Sequence, residues 1–102
     1  MVTQTVFKFY NNVLIRRNTL TVEPTGGIFG SYNSGANVTW TIKNNIFVNR
    51  LGTKIFIPAG NTGTMVANDI VGLFSGTTVL TASETITDEP LFIDENNNDF
   101  RL

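Results

Sequence analysis

Arg17 and Arg50, with Arg16, Lys43 and Lys54 around them, are the residues of this chain whose type and spacing come nearest to chemistry. A column of basic side chains can bind an anionic polymer or take a proton from it. Such a centre also needs carboxylates to hold a metal or balance charge, and Glu23 is the only one before Asp69. A metal-assisted elimination centre in this half is therefore disfavoured. Glycoside hydrolysis needs two carboxyl groups facing each other across a sugar. Asp69 is the nearest candidate, but it follows Asn68 in an asparagine-rich corner and reads as a turn residue.

Histidine and cysteine are both absent. Their absence removes Ser-His-Asp and Cys-His chemistry, histidine-ligated zinc, thiolate metal sites and any disulfide framework. In Asp94-Glu95-Asn96-Asn97-Asn98-Asp99 the alternation of Asp94, Asn96 and Asn98 invites calcium. An EF-hand loop, however, has glycine at its sixth position and glutamate at its twelfth. Asp99 stands at the sixth here and no glutamate follows. The segment reads as a polar turn before a short strand from Phe100 to Leu102, with no cofactor required and calcium as the alternative.

Exposed aromatic rings can stack on the apolar face of a sugar while polar neighbours bind its hydroxyls. Tyr10, Tyr32 and Phe47 are the candidates for such contacts, with Arg17 and Arg50 for an anionic glycan. Tyr10 has Lys43 as its counterpart at a position whose alternation points outward, and Tyr32 lies in an inserted excursion.

The elements that must position these residues follow from a repeat. Asn11-Asn12-Val13-Leu14-Ile15 recurs as Asn44-Asn45-Ile46-Phe47-Val48, and degenerately as Asn68-Asp69-Ile70-Val71. Aligning the first two corners puts Phe7 on Trp40, Phe9 on Ile42, Val13 on Ile46, Ile15 on Val48 and Arg17 on Arg50. Large apolar and polar residues alternate in both copies, as a half-buried strand requires. The third corner, aligned through Asp69, puts Thr64 under Trp40, Val66 under Ile42 and Ile70 under Ile46. Val13, Ile46 and Ile70 are then expected to form an interior aliphatic stack, Phe7 and Trp40 an aromatic one capped by Thr64, and Asn12, Asn45 and Asp69 a corner column bonded from coil to coil.

Ten short strands are expected: Thr5 to Tyr10, Val13 to Arg16, Leu20 to Glu23, Asn37 to Lys43, Ile46 to Asn49, Lys54 to Ile57, Met65 to Ala67, Ile70 to Leu73, Thr77 to Thr81 and Leu91 to Ile93. Asn, Gly and Pro separate them, and helical periodicity is absent. Pro24 to Ala36, rich in glycine, reads as a surface excursion held by one or two apolar anchors. A repeat of short strands turning at frequent corners implies a solenoid of about three to four coils, in one domain over residues 1–102.

Two stretches resemble the right-handed parallel β-helix proteins of the pectate-lyase-like superfamily. One is Val38-Thr39-Trp40-Thr41-Ile42-Lys43-Asn44-Asn45-Ile46-Phe47; the other is the ending Asp88-Glu89-Pro90-Leu91-Phe92-Ile93-Asp94, continued by Asn98-Asp99-Phe100-Arg101-Leu102. The ending is similar to the last coils of C-terminal β-helix modules in Bacteroidetes surface proteins, with Glu89 where many of these have Asp. The resemblance implies an all-β, right-handed parallel β-helix, an extracellular or cell-surface location, and a fragment or C-terminal module of a larger protein. It also implies carbohydrate as a partner and makes polysaccharide lyase the enzyme class to weigh.

Charge divides along the chain: residues 1–60 carry a net +5 and residues 61–102 a net −6. Complementation between stacked coils accounts for such a split, and a charged partner is the alternative. A pI near 5.1 and no interleaving of basic and stacking residues argue against nucleic acid. No apolar run approaches the ~20 residues of a membrane-spanning helix. The reading is a non-catalytic structural or carbohydrate-contacting module. The alternatives are part of a lyase or glycoside hydrolase, and a self-associating adhesion or assembly module whose bare strand edges join end to end.

Overall fold

The computed structural model describes residues 5–17, 27–29 and 38–102. Runs of β-branched and aromatic residues bounded by Asn and Gly form nine short strands. They are β1 (Thr5–Tyr10), β2 (Val13–Arg16), β3 (Val38–Lys43), β4 (Ile46–Asn49), β5 (Lys54–Ile55), β6 (Thr62–Val66), β7 (Asp69–Val71), β8 (Phe74–Ser75) and β9 (Thr81–Ser83). The fold is all-β, and no α-helix occurs among the described residues. The expected strand Leu20 to Glu23 lies outside them. Leu91 to Ile93 and Phe100 to Leu102 are irregular; Glu95–Asn97 instead forms a 3-10 turn closed by an Asp94–Asp99 bridge.

Every strand pair is parallel. Three sheets result, in the orders β1-β3-β6-β9, β2-β4-β7 and β5-β8, so the chain visits the three sheets in turn and then begins again. Ile28 and Phe29 donate their backbone N–H groups to Ile55 and Phe56, at 3.0 and 2.9 Å, and so extend the third sheet by one position. The middle of the expected surface excursion is thus part of the stack, and Phe29 is its anchor.

The repeat alignment holds across the first two passes: Phe7 pairs with Trp40, Phe9 with Ile42, Val13 with Ile46 and Ile15 with Val48. In the third pass the register differs by one residue. Trp40 pairs with Gly63, Ile42 with Met65 and Ile46 with Asp69. A one-residue slip exchanges the two faces of a strand. Met65, 1% exposed, is accordingly the inward residue in place of Val66. Gly63 meets the Phe7–Trp40 stack where Thr64 was expected, and its φ is +144°. A Cβ there would lie 2.0 Å from the Trp40 carbonyl oxygen, so the close approach requires glycine.

The corners explain the correct register. Asn11, Asn44, Ala67 and Glu84 all have positive φ, between 54° and 59°, and turn the chain from the first sheet toward the second. The residue after each turn forms the true column: Asn12, Asn45 and Asn68. Asn45 Oδ1 accepts from the backbone N–H of Asn12 at 2.9 Å and from its Nδ2 at 3.3 Å. Asn68 Oδ1 accepts the same pair from Asn45, both at 3.0 Å. Each Nδ2 also donates back to the preceding coil, Asn45 to Phe9 O at 2.8 Å and Asn68 to Ile42 O at 2.9 Å. Asn45 and Asn68 are buried, so this pairing removes what would be a costly polar interior. Asp69 is displaced from the column and begins β7.

Inside the corners, Ile42, Phe47, Phe56, Ile57 and Met65 form the buried core, with Phe29 against it at one end and Leu80 at the other. Phe47 meets Phe56 edge-on at 4.9 Å, and Phe29 touches Phe9, Trp40, Phe47 and Phe56. In the second sheet the interior column is Leu14, Phe47 and Ile70: Ile70 is inward as expected, while Leu14 and Phe47 take the places expected of Val13 and Ile46, each one residue earlier in the chain.

Candidate functional site

The sequence candidates separate into three environments. Phe47 is fully buried in the aromatic core, which overturns its assignment as a sugar platform: its inward direction in β4 puts the ring against Phe56 and Phe9. Tyr10 ends β1, is 41% exposed, and gives its carbonyl to Asn12 Nδ2. Tyr32 lies outside the described residues. Only Arg17 and Arg50 are brought to one place.

Those two arginines follow β2 and β4 one rung apart, since Arg50 N donates to Arg16 O at 2.7 Å. Both reach the C-terminal segment. Arg50 forms ion pairs with Glu89 and with Glu95, the latter at 2.7 Å. Arg17 donates to the Glu95 carbonyl and to Asn98 Oδ1, and its guanidinium lies 5.6 Å from the centre of the Phe100 ring. The basic column predicted as a ligand surface therefore has a partner within the chain. The hydrogen bonds from Arg50 hold the Glu95 carboxyl below the usual carboxylate range, and Glu89 and Glu95 together raise the Arg50 pKa.

Between β2 and this segment runs a groove of about 660 Å³. Its walls are Val13 to Arg17 and Ile28 on one side and Asn98 and Phe100 on the other. Arg16 in turn donates to Asn49 Oδ1 at 3.0 Å and to Gly52 O at 3.2 Å. Asn49 is 5% exposed and also donates to Gly52 O and Leu73 O, at 2.7 and 2.8 Å, tying three passes of chain together. Its role was not anticipated, although its position one residue before Arg50 was the available signal. The groove thus offers an apolar wall, two guanidinium groups, one aromatic ring and a carboxamide.

Asp69 is the other unusual group. In β7 it continues the Val13–Ile46 column, a place otherwise apolar. Its Oδ1 is buried without a hydrogen-bond partner, and burial, reinforced by Asp88 and Glu89, raises its pKa. A carboxyl with raised pKa beside further carboxyls is a combination that general acid catalysis uses. The groove, however, does not reach Asp69, and Glu89 is held by Arg50.

In the expected calcium segment, Asp94 accepts from Asn97 Nδ2 at 2.8 Å and Asp99 pairs with Arg101 at 2.6 Å. Among the described residues no three acidic side chains converge as a metal ion would need. Compared with known families, curated proteins and solved structures, the chain matches none.

Proposed function

We propose that this chain is a right-handed parallel β-helix with a structural, non-catalytic role in an extracellular protein. The observation that carries the reading is the buried carboxamide column Asn12, Asn45 and Asn68, which bonds each pass of chain to the next. Repeated visits to three parallel sheets support the same winding, and connections between parallel strands are overwhelmingly right-handed. The most distinctive residues hold the stack together, and the most basic column holds the C-terminal segment. The test for the competing lyase is direct: incubation with polyuronates, with and without calcium, produces no rise in ultraviolet absorbance. An unsaturated product from any of them refutes the non-catalytic reading.

A second reading, glycan contact, is favoured by the groove with Phe100 and Asn98 on its wall. A bound polysaccharide raises the melting temperature through linkage. The shift is expected to persist in Tyr10→Ala and to be lost in Phe100→Ala. Absence of a shift across a neutral and acidic glycan panel removes this reading and leaves the structural one intact.

A further inference from the structure

Among the described residues both ends of the stack are open strand edges. There β1 borders β3 alone, and Val6, Phe7 and Tyr10 are exposed along it. β9 borders β6 alone, and all three of its residues are exposed. Phe29 and Leu80 close the interior at its two ends. Each end therefore presents a row of peptide groups and not a core, and such rows template the addition of another strand.

The two rows are complementary. Asn11 N donates to Lys43 O, which turns the N–H groups at alternate positions of β1 toward β3 and those of Lys8 and Tyr10 outward. Ala67 N donates to Ser83 O, which turns the Ser83 carbonyl toward β6 and the Ala82 carbonyl outward. The carboxamide ladder is open in the same sense. Asn12 and Asn45 each pass their N–H to the Oδ1 of the next asparagine, whereas Asn12 Oδ1 accepts nothing among the described residues. At the far end the corner after Asn68 is Thr85, since Asp69 bridges to Ile86.

Charge is matched as well. In the first pass, residues 5–17, Arg16 and Arg17 are engaged within the chain, and Lys8 adds a positive charge on exposed β1 with no acid in the pass. In the last, Glu89 is held by Arg50, and Glu84 and Asp88 add negative charge with no base between Thr81 and Phe100.

The geometry points to a second copy of this chain as the partner of each end: β9 of one copy adds to β1 of the next. The Ala82 carbonyl then accepts the Tyr10 N–H, and the Thr85 N–H reaches Asn12 Oδ1, repeating the pattern inside the chain. This rests on the β-helix reading. Because the two joined patches differ, the contact is heterologous and open-ended.

Sedimentation of the full chain over a range of concentrations at low salt tests it. The weight-average mass is expected to rise past twice the 11.2 kDa of one chain, and to fall as salt screens the end charges. Val6→Pro blocks the N-terminal edge and Ala82→Pro the C-terminal one, each at an N–H that points away from the neighbouring strand. Each variant alone is expected to stay monomeric, and an equimolar mixture to form dimers and nothing larger. If a proline variant loses its β-sheet circular dichroism, Glu84→Lys serves instead and is expected to weaken association at least severalfold. A folded wild-type chain that stays monomeric throughout overturns the inference alone. A chain whose Asn45 and Asn68 amides exchange freely with solvent overturns the β-helix reading beneath it.

Discussion

Asn68 Oδ1 accepts both the backbone N–H and the side-chain Nδ2 of Asn45, each at 3.0 Å, and all of these groups are buried. One carboxamide thereby satisfies two donors from the neighbouring pass, and Asn45 does the same for Asn12. Asn45→Ala is expected to destabilise the fold by about 2–4 kcal/mol, because several hydrogen bonds are lost and buried partners are left unpaired. Asn12→Ala, at the exposed end of the column, is expected to cost about 1 kcal/mol. Urea denaturation of the two variants measures the difference; equal effects would mean that the column is not cumulative.

The four corners share one backbone conformation but not one residue type. Asparagine tolerates positive φ better than alanine does, and Ala67 carries φ of 55°. Ala67→Gly is expected to stabilise by about 0.5–1 kcal/mol, since glycine enters this region without penalty. The gain is read as a higher denaturation midpoint at unchanged slope, and a loss would show that the Ala67 methyl is needed for packing.

Asp69 binds its proton more tightly folded than unfolded. A carboxyl with raised pKa favours the fold below its unfolded pKa and loses that contribution as pH rises through the folded value. Asp69→Asn is therefore expected to stabilise at neutral pH, by about 1 kcal/mol for a buried oxygen without a partner on a half-buried residue. The advantage shrinks as pH falls to the ordinary carboxylate range. Melting temperatures of both proteins from pH 3 to 8 give the test, and a constant offset would point to packing instead.

Glu95 behaves oppositely. Its lowered pKa contributes stability above the unfolded value that is lost as pH falls through the folded one. Its ion pairs with Arg50 are partly exposed, so Arg50→Ala is expected to cost only about 1 kcal/mol overall. The larger effect falls on the C-terminal segment, which should become cleavable by protease severalfold faster. Lowering the pH below the ordinary carboxylate range should accelerate cleavage by an acid-active protease in the wild type and leave the variant little changed.

Much of the architecture is legible in the sequence. Two corners with the same Asn-Asn spelling fix the pairing of β1 with β3 and of β2 with β4. The third corner misleads because Asn68-Asp69 imitates that spelling while the chain uses Ala67-Asn68. A backbone position is conserved there, not a residue pair. Alternation also fails in β2 and β4, whose Val-Leu-Ile and Ile-Phe-Val runs are apolar throughout. Phe47 and Val48 are both buried, so both sides of β4 are covered and polarity gives no sign of which side is inward. The groove was illegible for a related reason: Arg17 and Phe100 meet only after the C-terminal segment has passed back along the stack.

That return path changes how the whole chain holds together. In a linear array each repeat touches only its neighbours, and unfolding can begin at an end and proceed one unit at a time. Here the segment following β9 is fastened to Arg50 in the second pass and Arg17 in the first. The last unit is linked to the first by a route that bypasses those between, turning a line of contacts into a closed circuit. Loosening either end is expected to loosen the other, so that the molecule melts in one cooperative step.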